Sequence, residues 1–184
     1  MKEAFKKCLR ALLGDYGIYR VFAADLDPSQ SAIEDPNLCE IDQNDMLNAD
    51  SPELRDQAWY GGEGSIGVGY RLNGRLVAAR WAWYGDRYKQ RNFWPLKERE
   101  AKIVHSFVLP EARGRGIATK MGSYGDQLFA KKGFVRIYTR IWYNHTASIR
   151  VTKKNGRRQI GWGVELNPFR SKKPIKLIFK TIAK

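Results

Sequence analysis

The segment Phe107-Val108-Leu109-Pro110-Glu111-Ala112-Arg113-Gly114-Arg115-Gly116-Ile117-Ala118-Thr119 carries the strongest chemical signal in the chain. An apolar run ends at proline, and a basic, glycine-punctuated turn leads straight into a helical pattern. Glycine at 114 and 116 lets the backbone approach a ligand and turn several N–H groups inward. A helix N-terminus adds unpaired amide donors and a partial positive charge, which suits phosphate or pyrophosphate. Arg113 and Arg115 add charge-assisted donors. Arg113, Gly114, Arg115, Gly116, Ile117, Ala118 and Thr119 therefore form a candidate diphosphate cradle. Gly-x4-Gly-Lys-Ser/Thr is absent, which excludes a Walker A loop, and Gly114-x-Gly116 lacks the third glycine of a dinucleotide fingerprint.

These groups need a scaffold, and the hydrophobic pattern predicts one. Residues 2–13 read as an amphipathic helix with Phe5, Leu9, Leu12 and Leu13 on one side, closed by Gly14 and Gly17. Ile18 to Ala23 reads as a short strand. Pro28, Pro36 and Pro52 divide the acidic stretch from Asp25 to Asp56 into short helices and loops. Ser65 to Leu72 and Arg75 to Tyr84 flank Asn73-Gly74, a hairpin signal because both central residues of such a turn take positive φ. Residues 85–99 make a polar, aromatic loop, and Ala101 to Leu109 a strand. Ile117 to Lys132 is a helix with Ile117, Met121, Leu128 and Phe129 at helical spacing, stopped by Gly133. A strand from Phe134 to Trp142, a short helix over 146–154 and strands over 158–166 and 174–182 complete a mixed α+β order around one sheet. With 184 residues and no repeat or linker, the chain is expected to form one domain over 1–184.

Cys8 and Cys39 are the only cysteines, His105 and His145 the only histidines, and none has a metal-site spacing, so no metal is expected. The first residues lack the apolar core and small-residue cleavage site of a signal peptide, and no run reaches the roughly 20 apolar residues that span a bilayer. A reducing, cytoplasmic setting is the expectation. The net charge is +14, yet Asp25 to Asp56 holds ten acidic residues against Arg55 alone; removing that −9 leaves +23 on the rest. Such a field concentrates anions, whether cofactor phosphates, a polyanion or anionic lipid.

The cradle resembles motif A of the GNAT superfamily of N-acetyltransferases, whose pattern is Gln/Arg-x-x-Gly-x-Gly/Ala after a Val-x-Pro strand end. Arg113, Gly116 and Ala118 fill the pattern, with Val108 and Pro110 upstream. Trp142 through Arg150, followed by Lys153-Lys154-Asn155-Gly156, is similar to the family's motif B. The resemblance runs over residues 65–163. It implies an α+β fold with a mostly antiparallel twisted sheet, a splayed strand pair and flanking helices. It also implies direct acetyl transfer from acetyl-CoA, or another acyl-CoA, to an amine. The pantetheine arm would lie on Ser106, Phe107 and Val108, the pyrophosphate on Arg113 through Thr119, with Asn144 and Ser148 beside the cofactor. Many relatives protonate the departing thiolate with a tyrosine four residues before the motif B glycine. Here Thr152 holds that place, Asn144 to Gly156 is one residue longer than the common spacing, and Arg157 replaces the aromatic residue that follows.

An attacking amine must be neutral, so a base is needed. Glu100 is the expected catalytic base: it opens the strand that carries Ser106 and Val108, and even spacing puts all three on one face. The family's best-known glutamate bases lie near this part of the strand, where Lys102 is the closest match. By the same alternation His105 faces the other way, as a packed strand histidine and the second choice. The carboxylates of 25–56 fall where relatives build an acceptor lid, which would favour a cationic amine; the plainer reading is a solvated surface balancing the basic body. Trp59, Trp81, Trp83 and Trp94 either line an acceptor pocket or pack in the core. The expected acceptor is a small-molecule or peptide amine. Transfer of a longer acyl chain, or work at an anionic membrane through residues 2–13 and the basic-apolar tail 172–180, is the rival enzymatic reading. A non-catalytic acyl-CoA sensor and an RNA binder complete the alternatives; no RNA-binding motif is visible and no specific nucleic acid is expected. A homodimer is compatible with the sequence.

Overall fold

The computed structural model describes residues 15–29, 33–91, 94–167 and 175–181. The helix expected over 2–13 lies outside these residues. Among the described residues eight strands form one sheet: β1 (Asp15–Asp25), β2 (Leu38–Ile41), β3 (Ser65–Leu72), β4 (Arg75–Trp83), β5 (Glu100–Val108), β6 (Arg136–Trp142), β7 (Arg158–Asn167) and β8 (Ile175–Lys180). The described helices are α1 (Gln43–Leu47), α2 (Pro52–Arg55), α3 (Gly85–Tyr88), α4 (Ile117–Lys131) and α5 (Thr146–Lys154), with short 3-10 turns between them. The strand order is β2-β3-β4-β5-β6-β1-β7-β8. Among the described residues only the β5–β6 pair is parallel, and a parallel pair needs a crossover, which α4 supplies.

Local sequence explains most of these elements. Asn73 and Gly74 take φ of 50° and 78°, and the β3–β4 register closes on Leu72 opposite Arg75. The acidic stretch is short elements, as its prolines require. Asp42 and Asp45 form a reciprocal capping box on α1, and Pro52 begins α2. β1 is much longer than its apolar pattern suggests. Both of its edges are paired, with β6 along Tyr19–Asp25 and with β7 along Asp15–Ala23, so tertiary pairing carries it through Tyr16 and Gly17.

α4 packs on one side of the sheet, where Phe129 joins Ile66, Ala82, Ala101, Ile103 and Ile137. The other side is aromatic: Trp81 and Trp83 are 1% and 0% exposed, and the Trp83 indole N–H donates to the Tyr60 carbonyl at 2.8 Å. Each such side chain contributes roughly 1.5–3 kcal/mol through burial. Trp94 is buried as well, whereas Trp59 is 47% exposed. Of the four tryptophans at 59, 81, 83 and 94, the last three therefore belong to the core and Trp59 reaches solvent.

Candidate active site

The sheet opens beside the glycine turn. β5 and β6 pair only from Glu100–Ile103 against Arg136–Thr139. Beyond that, β5 stays with β4 as far as Val108, and β6 stays with β1 as far as Trp142. A wedge is left between the two strands, and Ser106 is exposed beside it.

A bulge in β5 corrects the expected facing of its side chains. Trp81 lies opposite His105 while its neighbour Ala82 lies opposite Ile103, so Val104 is an extra residue with no partner on β4. An inserted residue reverses the alternation beyond it. Glu100, Lys102, His105 and Phe107 share the face of Trp81 and Trp83, while Ser106 and Val108 lie on the α4 face. Glu100 therefore does not share a face with Ser106 and Val108, and His105 does not oppose Glu100. Nothing in the residue types around Val104 announces the bulge.

On the aromatic face the titratable groups lie at two levels. Glu100 is 8% exposed and accepts hydrogen bonds from the Tyr138 hydroxyl at 3.1 Å and the Lys97 amide at 2.8 Å. Burial, with the Glu100 charge second, pushes the Tyr138 hydroxyl up to about 12. His105 is five residues further along, about 16 Å of strand, and stands at the wedge. Its Nε2 lies 2.6 Å from Gln57 Oε1, and its ring stacks on Tyr60 with centroids 4.3 Å apart. Exposed Trp59 stacks on Tyr60 in turn, at 4.0 Å.

On the α4 face the turn from 113 to 119 has open amides. The Ala112 amide donates to the Leu109 carbonyl and the Arg113 amide to Pro110; backbone pairing resumes at Thr119 and Lys120, which both donate to Gly116. Between them, the amides of Gly114, Arg115, Gly116, Ile117 and Ala118 find no acceptor among the described residues. Gly114 and Gly116 have φ of 80° and 74°, and a Cβ on either would meet no protein atom within 4 Å. The concave side of this turn is therefore backbone at the positive end of a 15-residue helix. Arg113 is exposed and folds back, its Nε donating to the Val108 carbonyl at 3.0 Å, which ties the turn to the strand end. Arg115 is exposed.

The motif B residues lie across the wedge, after β6. Asn144 is exposed in the turn before α5, and the Ser148 hydroxyl lies 3.2 Å from His145 Nδ1. α5 ends against α4: Asn155 donates to the Thr119 carbonyl at 2.8 Å and to the Ser123 hydroxyl at 2.9 Å. Gly122 permits this approach, because a Cβ there would come within 2.3 Å of Asn155 Oδ1. Thr152 is buried on α5, and Arg157, just beyond it, pairs with Asp126 of α4. Burial holds the guanidinium of Arg80 down at about 9, with the Arg157 charge as the second cause.

Many of the acidic residues are engaged with the basic body. Asp35 pairs with Lys120 at 2.8 Å, Glu40 with Lys132 at 2.8 Å, Asp45 with Arg71 at 2.6 Å and Asp50 with Arg75 at 3.5 Å. This favours the surface-balancing reading of the stretch. A cleft of about 420 Å³ between α1 and the hairpin turn contains two of these pairs and excludes the glycine turn. Among the described residues no His, Cys, Asp or Glu group suits a metal ion, and no helix is long and apolar enough to cross a membrane.

Comparison with known proteins gives the family. The model of the acetyltransferase (GNAT) family matches residues 36–156. No curated protein matches the chain. A solved GNAT-family protein from Novosphingobium aromaticivorans is 18% identical with a TM-score of 0.61, over 92% of this chain and 67% of that one. A GNAT-family acetyltransferase from Colwellia psychrerythraea is 14% identical with a TM-score of 0.57, over 97% of this chain but only 62% of its own length. An aminoglycoside N-acetyltransferase in complex with CoA is 16% identical with a TM-score of 0.51, over 66% of this chain and 91% of that one. At these identities the likeness is one of fold. With a family match over residues 36–156 and a splayed, mostly antiparallel sheet, the chain belongs to the acetyltransferase (GNAT) family.

Proposed function

We propose that the chain transfers an acetyl or related acyl group from an acyl-CoA to the amine of a small molecule or peptide. The observation that carries this reading is the run of unpaired amides from Gly114 to Ala118, set on two left-handed glycines at the head of α4. Such donors suit a diphosphate. The bound acyl-CoA supplies the thioester. Gly114 through Ala118 hold its pyrophosphate, with Arg113, Arg115 and Thr119 at the margins. Ser106, Phe107 and Val108 flank the pantetheine arm in the wedge, and Asn144 and Ser148 face them from the β6 side.

The bulge at Val104 separates a cofactor side, bearing Ser106 and Val108, from an acceptor side, bearing His105 and the aromatic wall of Tyr60 and Trp59. We place the base on the acceptor side at His105 rather than Glu100. With the Gln57 amide oxygen as acceptor, Nε2 carries the proton, and in the neutral ring Nδ1 is then the atom that takes a proton from the amine. Glu100 is already bonded to Tyr138 and Lys97 at the closed end of the strand pair.

Thiol release from acetyl-CoA with a panel of amines, alongside calorimetric CoA binding, tests the reading. Amine-stimulated release with CoA bound supports it. CoA binding without stimulation by any amine, including aminoglycosides, diamines and peptide N-termini, makes the protein a sensor and defeats the enzymatic reading.

A further inference from the structure

Arg80 is a buried cation with no ion pair among the described residues. It lies on β4 opposite Ser106, on the face that α4 covers. It is 5% exposed, its Nε has no hydrogen-bond partner, and it forms no ion pair among the described residues. The nearby carboxylate, Asp126 of α4, is bound by Arg157, whose own side chain is 0% exposed and whose Nε and Nη1 also lack partners. Among the described residues, two guanidiniums against one carboxylate leave a positive charge uncompensated. Burying an unpaired charge is costly, and buried donors without acceptors in a native protein call for a missing partner.

The surroundings indicate what that partner is. Arg80 neighbours Ser106 at the mouth of the wedge, while Asp126 and Arg157 bring in α4 and the end of α5. Buried Thr152, on α5, occupies the position from which many relatives donate a proton to the leaving sulfur. Threonine cannot serve as that acid near neutral pH. A fixed cation answers the same need by another route, because positive charge in a water-poor site stabilises thiolate.

Building on the acyl-CoA reading, we propose that Arg80 receives the departing sulfur of CoA as a hydrogen-bonded thiolate, in place of protonation by a tyrosine. The acceptor nitrogen bonds to the thioester carbonyl carbon and the carbon–sulfur bond breaks. The bonding pair goes to sulfur, the amine proton goes to the base on the acceptor side, and Arg80 keeps its own proton throughout. The thiolate takes a proton from solvent after release.

The test is the ionisation of the thiol in the CoA complex, followed by thiolate absorbance in the ultraviolet against pH, with binding of desulfo-CoA measured by calorimetry. In the unaltered protein the bound thiol should ionise about one pH unit or more below free CoA, a tenfold change in its ionisation constant. Arg80→Met should abolish that shift and leave desulfo-CoA affinity unchanged, while Arg80→Lys should keep part of it. A bound thiol that titrates like free CoA in the unaltered protein overturns the proposal even if Arg80→Met fails to fold. An equal shift in Arg80→Met overturns it as well. Failure of the unaltered protein to bind either CoA or desulfo-CoA sinks the underlying acyl-CoA reading instead.

Discussion

Replacing Gly116 by alanine separates the cost of backbone strain from the loss of a ligand contact. The residue sits at φ 74°, and a Cβ there meets no protein atom within 4 Å, so the fold loses only conformational preference. A left-handed alanine costs about 1–2 kcal/mol, or roughly 2–8 °C in Tm for a chain of this size. If the concave backbone holds a diphosphate, the new methyl stands where the ligand must approach. Losing even one charge-assisted hydrogen bond of about 1.5 kcal/mol weakens CoA roughly tenfold. Gly133, at the other end of α4, supplies the control: its φ is 87° and its Cβ position is equally open. Gly133→Ala should lower Tm by a similar amount and leave CoA affinity unchanged. Scanning fluorimetry and calorimetry on both variants give the two numbers. Equal Tm losses with unaltered CoA affinity in both would refute the assignment of the cradle.

Three further outcomes are expected. His105→Gln should slow turnover about 100-fold or more with CoA affinity intact, whereas Glu100→Gln should change turnover little; the reverse ranking restores Glu100 as the base. Gly122→Ala should push Asn155 off Thr119 and Ser123 and lower stability by about 1–3 kcal/mol in urea unfolding; an unchanged midpoint means the α4–α5 contact adapts freely. The hydrogen bond from Lys120 holds the Asp35 carboxyl down from 3.8 to about 2. A depressed carboxyl stabilises the fold above its unfolded value, so this contribution is lost as pH falls from 3.8 to about 2. Lys120→Met should flatten the dependence of Tm on pH across that window, and an unchanged slope would mean that Asp35 is not linked to folding.

The parts of the molecule set by local chemistry were legible from the sequence. Asn73-Gly74 located the hairpin because few other pairs tolerate two positive φ values. The Arg113–Thr119 segment announced an open strand-to-helix turn because proline, two glycines and a helical pattern converge there. Features decided by partners distant in sequence were not legible. β1 outgrew its apolar pattern because two strands pair with it. The bulge at Val104 is a matter of register with β4, and it reversed the facing inferred for Glu100 and His105. Gln57 had no reason to be linked with His105 until the 3-10 turn over Ala58–Tyr60 brought the two together. Arg80 read as one more basic residue in a basic chain; only its burial opposite Ser106 sets it apart.

The most direct measurement is an amide NMR titration of the isotopically labelled protein with CoA and, separately, with pantetheine, which lacks the diphosphate. The Gly114, Arg115, Gly116, Ile117 and Ala118 amides should shift strongly with CoA and remain nearly still with pantetheine. CoA binding that leaves those five resonances in place would put the diphosphate elsewhere and contradict the account.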